Sequence, residues 1–142
     1  MRKGYRERIN RLCMETEEIK LLFMVALGGA IGSVLRYIVQ GYVTKGDFPW
    51  GTFAVNLIGS FLIAFLFFYW SQGQDISAIT RAFLFIGIFG GFTTLSSFSL
   101  ETVNLVQEGQ WLWGLGNIAL NGGLCVAGAF AGRAVGLLLG GN

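Results

Sequence analysis

Gly90-Gly91-Phe92-Thr93-Thr94-Leu95-Ser96-Ser97-Phe98-Ser99-Leu100-Glu101 lies inside an apolar run long enough to form a membrane helix. Its two adjacent glycines favour a break in that helix, and five hydroxyls and a carboxylate follow within ten residues. Lipid offers no hydrogen bonds to a broken backbone, so such a segment persists at membrane depth only against protein, an ion or water. The stretch predicts a helix broken at Gly90–Thr93, with something polar handled beside the break.

The remaining composition agrees that lipid is the solvent. Charged residues make up 13% of the chain and hydrophobic residues 54%, whereas a soluble domain carries about 25% charged residues. The 22 glycines exceed the usual ~7% and fall within apolar runs, as they do where transmembrane helices pack through small residues. There is no histidine, which removes the commonest general base and metal ligand. Cys13 and Cys125 match no zinc or redox spacing, and Cys125 reads as a small packing residue in an apolar run. Without a nucleophile–base pair or a ligand cluster, no enzyme and no nucleic-acid partner is expected.

Residues 1–18 read as a polar tail of mixed charge that lacks the apolar core and cleavage site of a signal peptide. Met14 heads a segment leading directly into the first apolar run, so part of the tail is a candidate for an over-long start. Residues 19–139 form the membrane unit. About 20 apolar residues cross a bilayer, and four segments qualify: about Ile19–Val43, Trp50–Trp70, Ile76–Leu105 and Trp111–Leu139. The connections are Lys45-Gly46-Asp47 with Pro49, Ser71-Gln72-Gly73-Gln74-Asp75, and Glu108-Gly109-Gln110. Trp50, Trp70, Trp111 and Trp113 fall at span ends, where interfacial tryptophans belong. Residues 1–20 hold six of the ten Lys/Arg and four of the eight Asp/Glu. Outside the tail the charge asymmetry is small enough to permit insertion in both orientations.

Several polar groups within the spans need partners. Gly28, Gly32 and Arg36 recur at i, i+4, i+8, as do Gly29, Ser33 and Tyr37; the glycines read as a packing seam. Arg36 either snorkels to the interface or attracts an anion at a pore mouth. Thr52, Asn56 and Ser60 share one face of the second helix, and lipid cannot satisfy the Asn56 amide. If the third helix resumes after its break, Thr94, Ser97, Phe98 and Glu101 share a face flanked by Ser96 and Ser99. Asn117 and Asn121 sit one turn apart on the fourth helix, either as glue between helices or as the wall opposite those hydroxyls. Gly128, Gly132 and Gly136 continue as a second seam.

Together these blocks resemble the fluoride channels of the CrcB, or Fluc, family. The resemblance covers about Leu21 to Gly136. It includes Gly28-Gly29-Ala30-Ile31-Gly32-Ser33-Val34-Leu35-Arg36-Tyr37, then Trp50 to Phe61, then the glycine–threonine–serine–phenylalanine stretch with Glu101. It implies an all-α membrane protein of four transmembrane helices, assembled in a prokaryotic inner or plasma membrane as an antiparallel, dual-topology homodimer with two pores. It also implies passive export of fluoride, and a structural Na+ at the dimer interface held by the carbonyls of Gly90 and Thr93. In that reading Asn56 lines the pore, Arg36 stands near its entrance and Phe98 is a pore phenylalanine. Thr94, Ser96, Ser97, Ser99 and Glu101 belong to the polar track, with Asn117 and Asn121 opposite. Two departures stand out. Leu95 occupies a position where the family usually has phenylalanine, and Asn117 and Asn121 stand where tyrosine and serine or threonine are more frequent.

Two other readings compete. A four-helix, proton-coupled multidrug-type exporter needs a membrane carboxylate, ordinarily in the first helix, and here Glu101 in the third is the candidate. A non-transporting scaffold accounts for the glycine seams and leaves the clustered amides and hydroxyls unexplained.

Overall fold

The computed structural model describes the backbone of residues 2–73 and 75–141, with side chains from residue 14 onward. Met1, Gln74 and Asn142, and the side chains of the tail through Cys13, lie outside the described residues. Among the described residues the regular secondary structure is all helical. Helix α1 spans Arg2–Val43 and α2 spans Trp50–Trp70. The third span is divided into α3, residues 78–92, and α4, Leu95–Gln107. The fourth, α5, runs Trp111–Gly140. Four segments are long and apolar enough to cross a membrane: Met14–Val43, Trp50–Trp70, Ala78–Gln107 and Trp111–Gly140. This is a multi-pass membrane protein.

Three helix boundaries have a clear local cause. Pro49 precedes α2, where its missing N–H costs no helical bond. The Ser77 hydroxyl accepts the Thr80 N–H at 3.1 Å and starts α3. Gly109, at a φ of 76°, closes α4 in a left-handed turn that a side chain would strain. Phe48, Trp50 and Trp113 cluster with ring centroids 4.5 and 5.3 Å apart, tying the α1–α2 loop to the start of α5.

The packing is inverted relative to a protein in water. Leu112 is 85% exposed and Leu138 78%, whereas Asn117 has no exposed surface. So much exposed apolar surface is stable only against lipid or another chain. Helix α1 lies along α3, and α2 lies along the second half of α5. Both pairs meet through glycine. A Cβ on Gly28 or Gly32 would run into the carbonyl oxygens of Phe83 or Ile88, and one on Gly132 into that of Phe61. These small positions let backbones touch, which replaces the hydrophobic drive that lipid removes. Both glycine seams read from the spacing therefore exist, one against α3 and one against α2.

The third span differs in detail from its expected course. Gly90 and Gly91 remain helical, and the chain leaves the helix at Thr93 (φ −85°, ψ 159°) and Thr94 (φ −152°, ψ 114°). Gly91 is needed for contact: a Cβ there would lie 2.6 Å from the Gly29 carbonyl oxygen. The break thus falls at the end of the expected range, and Gly91 serves the seam, whereas a Cβ on Gly90 would meet nothing within 4 Å. Wide π-helical turns over Arg81–Phe89 and Leu120–Leu124 occur at Gly87 and at Gly122-Gly123.

The seam predicts a contrast between adjacent glycines. Gly28→Ala and Gly32→Ala should each lose about 1–3 kcal/mol of stability through overpacking. Gly29→Ala, whose Cβ would meet nothing within 4 Å, should unfold like the parent. Thermal unfolding in detergent reads the difference, and equal melting of all three variants would contradict the seam.

Candidate functional site: the break in the third span

Residues that leave a helix inside a membrane expose an N–H and a C=O that need new partners. At Thr94 both are taken by one side chain. The Thr94 N–H donates to Asn56 Oδ1 at 2.8 Å, and Asn56 Nδ2 donates to the Thr94 carbonyl at 3.1 Å. The amide acts as a strand neighbour would, pairing with both polar groups of an extended residue. Asn56 faces the break because Thr52, Asn56 and Ser60 are spaced one turn apart on α2. Next to it, Arg36 reaches the Thr93 carbonyl at 3.3 Å, and the Thr93 hydroxyl back-bonds to Phe89 at 2.9 Å.

Helix α4 then restarts on a hydroxyl cap. Thr94 Oγ1 accepts the Ser97 N–H at 3.2 Å, the usual task of an N-cap threonine. Its hydroxyl donates to Ser97 Oγ at 3.0 Å and lies 3.2 Å from Ser96 Oγ. A hydroxyl carries one hydrogen, so Ser96 donates to Thr94 and Ser97 keeps its own hydrogen. The Ser99 hydroxyl is satisfied locally by the Leu95 carbonyl at 2.9 Å.

A line of amides leads away from the clamp. The other hydrogen of Asn56 Nδ2 goes to Asn121 Oδ1 at 2.8 Å. Asn121 Nδ2 donates to Asn117 Oδ1 at 2.9 Å and to the Asn117 carbonyl at 3.2 Å. Asn117 Nδ2 donates in turn to Thr102 Oγ1 at 2.9 Å. The asparagines are both glue between helices and, for Asn56 and Asn121, part of the wall of an open cleft. Their amide hydrogens are spent on protein acceptors within this chain.

That cleft, of about 700 Å³, runs beside the break and is lined by Asn56, Gly90, Thr93, Leu95, Phe98 and Asn121, among others. Leu95 is 75% exposed there. Arg133 stands at the same cleft with its guanidinium 5.1 Å from the Phe68 ring centroid, a cation–π distance.

Glu101 belongs to a second site. Gln40 Nε2 donates to Thr52 Oγ1 at 2.9 Å, and the Thr52 hydroxyl donates to Glu101 Oε1 at 2.6 Å. Glu101 Oε2 is buried and has no partner among the described residues. A smaller cleft of about 270 Å³ adjoins it, lined by Thr44, Asp47, Asn104 and Glu108 as well as Glu101. Asn56, Thr94, Ser96, Ser97 and Asn121 thus form one network, Glu101 another, and Asn117 sits behind the first. Gln40 and Thr102 carry contacts that residue type alone did not reveal. The available signal was their position one turn beyond Arg36 and Phe98.

Comparison with known proteins gives the family. The profile of the family described as "CrcB-like protein, Camphor Resistance (CrcB)" matches residues 23–133. A protein of Allorhizobium ampelinum named "Fluoride-specific ion channel FluC" is 50% identical over 122 residues, covering 83% of this chain and 97% of its own. Proteins with the same name from Magnetococcus marinus and Clostridium novyi are 45% and 40% identical, over 81% and 87% of this chain and 96% and 98% of theirs. On its four spans, its broken third span and these matches, the chain belongs to the CrcB-like family.

Proposed function

We propose that this chain is a fluoride-selective channel that lets the ion leave passively and so relieves its toxicity. The observation that carries the reading is the Asn56–Thr94 clamp, which holds a helix break open beside a cleft edged with hydroxyls. The names of relatives up to 50% identical support the choice of ion. The family membership also supports a transport role over a catalytic one.

Fluoride is strongly hydrated, so donors along the path must replace its shed water. They must do so without holding the ion too tightly, since conduction needs binding that is also readily reversed. Ser97 has a hydroxyl hydrogen to give, and Ser96 gains one when it turns away from Thr94. Both sit at the N-terminal turn of α4, where free backbone N–H groups favour an anion. Phe98 offers a ring whose edge is positive. An ion at Asn56 competes with the Thr94 carbonyl and Asn121 for the amide hydrogens, which weakens its hold there. Arg36 adds positive charge beside the break. Leu95 supplies an apolar wall where a second ring is absent.

The proposal includes an antiparallel dual-topology homodimer whose broken spans cross at its centre around a structural Na+. The fit rests on two carbonyls. Gly90 loses its regular helical partner because the Thr94 N–H is given to Asn56. Among the described residues the Thr93 carbonyl accepts one long contact, from Arg36, and a carbonyl has two lone pairs. Oxygen donors of this kind suit a hard cation, and a second copy doubles their number. Bound there, Na+ would neutralise carbonyl dipoles at the crossing.

Purified protein in liposomes should release fluoride through a selective electrical leak, and assembled dimers that pass none would contradict the proposal. A proton-driven drug flux abolished by Glu101→Gln would favour the exporter instead. Asn56→Asp should suppress fluoride flux at least about tenfold, because a carboxylate would face the Thr94 carbonyl and Asn121 Oδ1 with no hydrogen to give. Unaltered flux in that variant would remove Asn56 from the path. Exchange of Na+ for a large organic cation should lower the melting temperature and loosen the dimer; an indifferent dimer would remove the cation from the account.

A further inference from the structure

The relay from Asn56 ends at a backbone atom, the carbonyl oxygen of Phe98, and that end point is unexplained by a pore wall alone. The Thr102 hydroxyl donates to the Phe98 carbonyl at 2.8 Å. A threonine that back-bonds one turn up its own helix is common and often without consequence. Here a second helix joins it. Asn117 Nδ2, on α5, donates to the same Thr102 oxygen at 2.9 Å and lies 3.5 Å from the Phe98 carbonyl.

The directions of these bonds are forced. Thr102 has one hydrogen, given to Phe98, so toward Asn117 it can only accept. Asn117 must therefore point its nitrogen at Thr102 and its oxygen at Asn121, which donates to it at 2.9 Å. Asn121 then presents its own oxygen to Asn56, which donates at 2.8 Å. Every amide is oriented by its neighbours, from the Thr94 clamp to the Phe98 carbonyl. Asn117 is fully buried, so in this conformation it cannot meet an ion. Its contacts instead hold the C-terminal end of the first turn of α4, while Asn56 holds the N-terminal end at Thr94, and that turn carries Leu95 and Phe98 on the cleft.

We infer that Thr102 and Asn117 are positioning residues, which set the discrimination of the path by holding the Phe98 turn, and with it the one aromatic ring of that turn, at a fixed place on the cleft. The inference rests on the channel reading above. With an aliphatic Leu95, no second ring in this turn compensates for a Phe98 that is free to shift. Loss of the Thr102 hydroxyl removes the short acceptor of Asn117 and leaves the Phe98 carbonyl only the 3.5 Å approach of Asn117 as its cross-helix tie.

The test compares fluoride and chloride efflux from liposomes for wild type, Thr102→Val and Thr102→Ser, with the melting temperature and assembly of each recorded. Thr102→Val should lower the fluoride rate about tenfold, the order expected for losing a neutral hydrogen bond. It should also narrow the fluoride-to-chloride ratio. Thr102→Ser, which keeps the hydroxyl, should retain both. A folded Thr102→Val with wild-type rate and ratio would overturn the inference, as would a serine variant as impaired as the valine one. If Thr102→Val does not fold, Thr102→Cys takes its place as a poor donor of similar size; a wild-type ratio there would likewise overturn it. Wild-type protein that passes no fluoride would overturn the channel reading itself, whereas active wild type with indifferent variants contradicts only the role of Thr102 and Asn117.

Discussion

A backbone that leaves its helix within a bilayer must find new partners for its polar groups, and here the Asn56 side chain provides them for Thr94. Without that clamp, the extended residue at the middle of the third span would leave an N–H and a C=O unpaired in apolar surroundings. The cost of one such orphan is about 1–3 kcal/mol. The clamp therefore decides whether the third span is one straight helix or two that meet at a corner. The hydroxyl cap of α4, the release of the Gly90 carbonyl and the placement of Leu95 and Phe98 on the cleft all follow from the corner.

The corner also needs its two neighbours held close, and the glycine seams do this. Gly28 and Gly32 bring α1 against α3 up to the break, so that Arg36, one turn further, reaches the Thr93 carbonyl. Gly132 and Gly136 bring the second half of α5 against α2, which sets Asn121 within reach of Asn56. Lipid gives helices no hydrophobic reason to associate. Contact between backbones and a few buried polar bonds must therefore hold this bundle. The same close contacts place polar residues such as Thr52 and Asn117 inward and leave many leucines facing outward.

Much of this was legible in the sequence, and the parts that were not share a physical cause. Hydropathy and tryptophan placement define four spans because the bilayer imposes a length and an interface on each. The i+4 recurrence of Gly28 and Gly32, and of Gly128, Gly132 and Gly136, marks seams because only one helix face can touch a partner. The pairing of Thr52 with Glu101 and of Thr102 with Asn117 was not legible, since residues on different helices have no shared period. Gly90 and Gly91 suggested a break at themselves. The small size of Gly91 instead serves packing against Gly29, and the position of Asn56 on another helix puts the break at Thr93 and Thr94. Asn56, Asn117 and Asn121 read as donors toward an open path. Which hydrogens they have left to give depends on partners that only the folded chain assembles.

The central claim is that the Thr94 amide belongs to Asn56 and not to the helix. Hydrogen-bond scalar couplings in isotope-labelled protein report directly on which carbonyl carbon an amide nitrogen addresses. The account predicts a coupling from the Thr94 nitrogen to the side-chain carbonyl carbon of Asn56, lost in Asn56→Ala. A coupling from Thr94 to the backbone carbonyl of Gly90, as in an unbroken helix, would contradict it.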